Sequence, residues 1–191
     1  MQAISISRQM GSGGDELAER VAAQLKWGRV SYEVINRAGL AAGAPQVALA
    51  EIDELGLLNL RPTAAERRAY QHQVERIIRE LAEAGLVVIV GRGSQVILQN
   101  QPGVLHVRVV APLEARLARL QEEKRLSVEA AQARLLKSDQ TRARYLWRNY
   151  RRRLDDPTLY HLIINTGLLD IAQATTIVVQ TYRELTTKSA A

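Results

Sequence analysis

Ile4-Ser5-Ile6-Ser7-Arg8-Gln9-Met10-Gly11-Ser12-Gly13-Gly14-Asp15-Glu16-Leu17-Ala18 passes from strand alternation, through small residues, into a helical pattern. Such a strand–turn–helix reads as the opening of an α/β unit. Glycines there let backbone N–H groups wrap an anion, and the helix start adds partial positive charge. A P-loop would read G-x-x-x-x-G-K-[ST]. Here Arg8 stands at its first glycine and Gly14 at its lysine. The turn has the composition of a phosphate cradle and lacks the usual cation. Gln9, Met10, Gly11, Ser12, Gly13 and Gly14 are therefore the candidate phosphate-binding residues, and Arg8 is the candidate substitute cation. Asp15 suits the helix dipole, yet it repels phosphate unless Mg²⁺ intervenes, which makes it the candidate metal contact.

Outward from this turn the strand–helix alternation continues. Leu86-Val87-Val88-Ile89-Val90 is continuously apolar, as a strand buried on both faces should be. Before it, a helix is expected from Thr63 to Ala84, opened by the capping box Thr63-x-x-Glu66 and closed by Gly85. Val104 to Val110 follows a Pro-Gly turn and reads as a strand. Pro112 starts a helix through Leu113, Leu117 and Leu120, and Ser127 caps another expected to reach about Tyr150. Leu162 to Asn165 is the last strand, Asp170 opens a C-terminal helix, and a weaker strand is expected at 29–32. The alternation predicts an α/β fold: a P-loop NTPase-like, three-layer arrangement with a short parallel sheet, helices on both faces and a helical lid. A single domain over 1–191 is expected. The pattern fits worst from Gly39 to Leu60, which is apolar and poor in charge and suits a loosely helical insertion, a moving subdomain or an oligomer contact.

Composition narrows the function. The 191 residues suit one sizeable core, and 47% hydrophobic with 24% charged residues is ordinary for a globular chain. A net charge of +6 points to anionic partners such as nucleotides or nucleic acid. With no cysteine, disulfides, thiolate metal sites and cysteine nucleophiles are excluded. No apolar run approaches a membrane span and the first residues pass directly into a strand, so the expected location is cytoplasmic. His72, His106 and His161 do not assemble, and neither HExxH nor G-x-S-x-G is present, which sets aside zinc-protease and serine-hydrolase chemistry.

Two further constellations carry charge. Gly91-Arg92-Gly93-Ser94 follows the second strong strand, at the end where open α/β sheets bind ligands. There the rigid fork of Arg92 suits a phosphate, although a surface arginine in a turn is an equally plain reading. Asp139, Arg142, Arg144, Arg148, Arg151, Arg152 and Arg153, with Tyr145, Trp147 and Tyr150 between them, lie in or just beyond the helix that Ser127 begins. Such a stretch serves a lid that closes over transferring phosphates. It serves equally a nucleic-acid surface or a solvated helix face whose aromatics pack inward.

Taken in order, these motifs resemble the cytidylate kinases, and more closely the divergent cytidylate kinase-like set. The resemblance runs through the opening Ile4 to Gly14, Asn36-Arg37-Ala38, Val88 to Gly93, the segment from Lys137 to Arg144, and Leu162 to Thr166 with Leu169-Asp170-Ile171. It implies ATP with Mg²⁺ as cofactors and a nucleoside monophosphate acceptor, with CMP or dCMP first. It also implies that Arg37, Arg92, Gly93 and Asp139 lie on the acceptor side, that about 39–65 is a reduced or altered acceptor-side insertion, and that about 137–156 forms the lid. Arg142 and Arg144, with Arg8, would carry the catalytic charge, and Arg148 and Arg151 would belong to the lid. The departures are specific. Gly14 stands for the phosphate-loop lysine, Gly93 for the aspartate of a Gly-Arg-Asp segment, and Ser31 and Asn165 for two further aspartates. The leading expectation is a phosphotransferase moving the ATP γ-phosphoryl group to a nucleoside monophosphate. The alternatives are a catalytically silent nucleotide-binding or scaffold protein and a nucleic-acid binder using the arginine-rich helix. A small phosphorylated metabolite also suits as substrate, and no membrane partner is expected.

Overall fold

The alternating residues of the first strand divide the protein into two cores. A computed structural model describes residues 2–43 and 62–188. In it β1 (Ala3–Arg8) lies at the centre of a five-stranded sheet with β2 (Gly28–Val30), β3 (Val87–Val90), β4 (Val104–Val110) and β5 (Leu162–Asn165). The order is β2-β3-β1-β4-β5, and every pairing is parallel. On one face Ile4 and Ile6 join Val88, Val90, Leu105, Val107 and Val109. That face is covered by α1 (Gly14–Leu25) and α7 (Ile171–Lys188), through Leu17, Val21, Val178 and Tyr182. On the other face Ala3, Val87, Ile89 and Val104 pack beneath α2 (Tyr32–Ala41) and α3 (Ala64–Ala84), through Val34, Tyr70, Val74 and Ile78. Each aliphatic side chain buried in this way stabilises the fold by about 1.5–3 kcal/mol. The result is the expected three-layer α/β fold.

Helix boundaries follow local chemistry. Thr63 Oγ1 accepts from the Glu66 amide at 3.2 Å, while Glu66 Oε2 accepts from the Thr63 amide at 2.7 Å, so the capping box forms as read. Asp170 and Gln173 cap the start of α7 reciprocally, at 2.8 and 3.1 Å. Two boundaries move: Leu86 takes φ +52 and is exposed, so β3 begins at Val87, and the strand expected at 29–32 is Gly28–Val30, with Tyr32 already in α2. A short helix α4 (Ser94–Ile97), not anticipated from the sequence, follows β3. The insertion expected at about 39–65 falls largely on 44–61, outside the described residues.

A third, smaller cluster supports the lid. The helices α5 (Leu113–Lys124) and α6 (Val128–Tyr150) pair through Leu120, Ala131 and Leu135, with Leu117, Leu126 and Met10 of the glycine turn packed against them. The first half of α6 therefore has an apolar footing beside the turn, ahead of its arginine-rich stretch.

Candidate functional site

The strand order reverses direction around β1, with β3 on one side and β4 on the other, and open α/β sheets bind ligands at such a crevice. Arg8 ends β1, Gly91-Arg92 leaves β3, and Arg108 lies near the end of β4. Two cavities form there and share Arg8 and Arg142. The first, of about 50 Å³, is lined by Arg8, Gly91, Arg92, Gln95, Arg142 and Tyr145, among others. The second, of about 500 Å³, adds Gln9, Arg108, Asp139, Arg144, Trp147 and Arg152.

Arg8 accounts for the glycine at the lysine position. A Cβ on Gly14 would collide with Arg8 Cβ, would lie 2.9 Å from Arg8 Cγ and would also crowd Val109 Cβ at 3.3 Å. The stem of Arg8 thus runs over Gly14 through the space a side chain there would need. Its guanidinium reaches Gly91, where a Cβ would stand 2.9 Å from Arg8 Nη1. Against the P-loop pattern, an arginine stands at the first position and a glycine at the lysine position. Burial lowers the Arg8 pKa to about 10, with Arg142 and Arg92 pushing the same way and Asp15 opposing them. The group is still charged at neutral pH. Asp15 holds Arg8 Nε at 3.1 Å.

The second departure has the same kind of cause. A Cβ on Gly93, where φ is +73°, would lie 2.6 Å from Tyr150 Cε2. The Tyr150 ring, hydrogen-bonded to Gln71 of α3, occupies the space an aspartate would need. The end of α6 is thereby seated against the Gly91-Arg92-Gly93 turn. Burial and nearby Glu75 raise the Tyr150 pKa, so its hydroxyl stays protonated.

The remaining expected residues fall into distinct places. Gln9 accepts from the Ala111 amide at 3.1 Å, Ser12 donates to the Gln9 carbonyl at 2.8 Å, and Gly13 caps α1 with φ +73°. Asp139 faces the second cavity but is held in a two-pronged pair by Arg116, at 2.8 and 3.0 Å, so it fastens the lid to α5. Arg142 donates to the Arg8 carbonyl at 2.8 Å, and the Arg92 guanidinium lies 5.1 Å from the Tyr145 ring centroid. Arg144 lines the second cavity. Arg151 stacks 5.9 Å from the Trp147 ring, and Arg148 and Arg37 are exposed and line neither cavity.

Four site residues escaped the sequence reading. Arg108, 7% exposed, donates to Ser7 Oγ at 2.7 Å and lies 5.8 Å from the Tyr160 ring centroid, and burial lowers its pKa. Arg119 donates to the Thr166 carbonyl at 2.6 Å, and Thr166 donates to the Ser12 carbonyl at 2.6 Å, tying the turn to the end of β5. Arg116 and Gln95 are both nearly inaccessible. One signal for the first was present: Ser5 and Ser7 pair in register with His106 and Arg108, so polar residues alternate through two strands otherwise built for a core.

No three His, Asp or Glu side chains gather into a metal-holding group among the described residues. With Asp15 engaged by Arg8, these residues do not offer a magnesium ligand set of their own. A nucleotide-bound magnesium takes most of its ligands from phosphate oxygens and water.

A parallel sheet with the arginine-lined crevice at its switch point and a helical lid above defines a kinase-type α/β protein. The chain belongs to the cytidylate kinase-like family, whose model matches residues 3–168. Its fold is similar to that of an uncharacterised protein from Eubacterium ventriosum, with TM-score 0.77 and 20% identity over 96% of this chain and 99% of that one. It is also similar to shikimate kinase from Acinetobacter baumannii, solved in complex with shikimate (TM-score 0.56, 16% identity, 96% and 94% covered). The shikimate kinase from Bacteroides thetaiotaomicron is comparable (TM-score 0.55, 16% identity, 96% and 97% covered). Among curated proteins the chain matches a uronate isomerase of Corynebacterium glutamicum at 29% identity over 119 residues, 62% of this chain and 23% of the relative. The match thus spans about a quarter of that relative's length. No described helix is long and apolar enough to cross a membrane.

Proposed function

We propose that this protein is a nucleoside monophosphate kinase-type phosphotransferase in which Arg8 replaces the phosphate-loop lysine. The observation that carries the reading is the course of Arg8 over Gly14 to Gly91, which returns a cation to the crevice from the opposite end of the same turn. ATP, with Mg²⁺ bound through its phosphates, would lie along Gln9 to Gly14 and the larger cavity. CMP or dCMP is the first acceptor to test, its phosphate held by Arg92 in the smaller one. Arg8 and Arg142 line both cavities and so stand where the phosphoryl group passes. An acceptor oxygen attacks the γ-phosphorus, the bond to the β-phosphate oxygen breaks, and ADP leaves. The arginines offset the charge on the moving group, and the lid excludes water from it.

The test is ADP release from ATP across a panel of acceptors, led by CMP and dCMP. Arg8→Ala should weaken ATP binding about tenfold or more, the scale of a lost charge-assisted contact. Arg29→Ala, on the exposed part of β2, serves as the charge-matched control. Equal ATP affinities in the two variants would remove Arg8 from the site. One feature favours a second reading, a nucleotide-binding protein without transfer: Asp15 already pairs with Arg8 and offsets its charge. ATP binding without ADP release for any acceptor would select it.

A further inference from the structure

The smaller cavity contains a polar group that neither the fold nor a phosphate grip requires. Gln95, in the first turn of α4, is 2% exposed and lines this cavity. Ser94 beside it is anchored to β1 through a 3.0 Å hydroxyl contact with Ser5. Gln95 Nε2 donates to Tyr160 Oη at 3.4 Å, and Tyr160 donates onward to the Leu154 carbonyl at 2.8 Å. The amide is thus oriented. Its oxygen, Oε1, is buried with no hydrogen-bond partner among the described residues.

Leaving a buried acceptor unpaired destabilises a folded chain, whereas an apolar side chain of similar volume at the same place would not incur that cost. Arg8, Arg92 and Arg142 line the same cavity and offer donors only. Those donors suit an anion, and none of them is bonded to Gln95 Oε1. What completes both is a ligand carrying an anionic group for the arginines and, beside it, a hydrogen-bond donor for Oε1.

Resting on the phosphotransferase reading of this cavity, we propose that Gln95 selects the acceptor: its oxygen accepts from a hydroxyl or amino group close to the acceptor's phosphate. The substrate class is a phosphate ester bearing such a donor. Inorganic sulfate, fully ionised near neutral pH, fills the arginines and has no proton to donate to Oε1. A site built to bond a donor group discriminates strongly against molecules that lack it.

Gln95→Met conserves volume and removes the amide. Melting temperature and the calorimetric affinities for inorganic sulfate, glycerol 3-phosphate and CMP are measured in both proteins. The expected result is an unchanged or higher melting temperature and a sulfate affinity within about twofold. The affinity for at least one donor-bearing ester should fall about tenfold. A clearly lower melting temperature would make Gln95 a structural core group and overturn the proposal. Equal losses for all probes would overturn it too, as would wild-type protein that binds neither ester more tightly than sulfate. ADP release from ATP, followed separately in the wild type, reports on the phosphotransferase reading whatever the affinities show.

Discussion

Arg142 Nη1 donates to the backbone carbonyl of Arg8 across 2.8 Å, so the arginine-rich lid helix is fastened to the last residue of the central strand. The same helix is held at three further places. Met10 packs beneath it, Arg116 grips Asp139, and Tyr150 seats against Gly93 and Gln71. The lid and the glycine turn therefore move as neighbours, and changes in one should be felt in the other.

Restoring the lysine should harm the protein. Gly14→Lys forces a Cβ into the stem of Arg8 and should cost about 1–3 kcal/mol of stability as an overpacked contact. The double change Arg8→Gly with Gly14→Lys rebuilds the usual pattern and should recover most of that loss. Denaturant melts of the two single variants and the double complete a cycle with clear coupling. Additive losses would mean that the two positions do not share space.

Gly93→Asp should fail for a related reason. The new Cβ meets the Tyr150 ring at a backbone position with φ +73°. A loss of about 1–3 kcal/mol is expected. Amide exchange in the last turns of α6 should also rise, since the ring must move. Unchanged exchange there would place the strain elsewhere.

Asp139→Asn tests the fastening of the lid. Arg116 is nearly inaccessible, so removing the charge opposite it leaves a buried guanidinium poorly paired. Because the Asp139 side chain is 30% exposed, the loss should be about 1–3 kcal/mol, below that of a fully buried pair. Turnover should fall as well, since Arg142 and Arg144 lie within about one and a half turns along the same helix. A variant with lower stability and normal turnover would make the pair purely structural.

Acid should weaken the fold through His106. Burial, with His161 stacked 5.1 Å away, lowers its pKa to about 4 in the folded protein. The unfolded chain, near pH 6.5 for an ordinary histidine, binds the proton first. Stability is therefore full above about pH 6.5 and declines as the pH falls toward 4, by about 3 kcal/mol in total from this group. His161, lowered in the same direction by burial, adds to the slope. Melts at several pH values in His106→Gln should show a shallower decline. A slope identical to that of the native chain would assign the acid sensitivity to other groups.

Much of the architecture can be read from the residues alone, because apolar period and caps are local. The continuous run Leu86 to Val90, the box Thr63-x-x-Glu66 and the strand–turn–helix through Arg8 to Gly14 each act on neighbours in the chain, and each forms as read but for Leu86, which leaves the strand. Arg8 as a cation close to the turn follows from the same few residues. What spacing does not contain is which side chains meet once β3 and β4 flank β1. Gly93 and Tyr150 are far apart in the chain, as are Ser7 and Arg108, and they touch because of strand order and the seating of α6. Only that packing shows Gly14 and Gly93 as spaces filled by Arg8 and Tyr150, rather than as simple losses. It also decides that Asp139 braces the lid and that Gln95 and Arg108 enter the crevice. The physical reason is that a steric or hydrogen-bonding partner is chosen by distance in space, and in a parallel sheet each crossover separates neighbours in space by long stretches of chain.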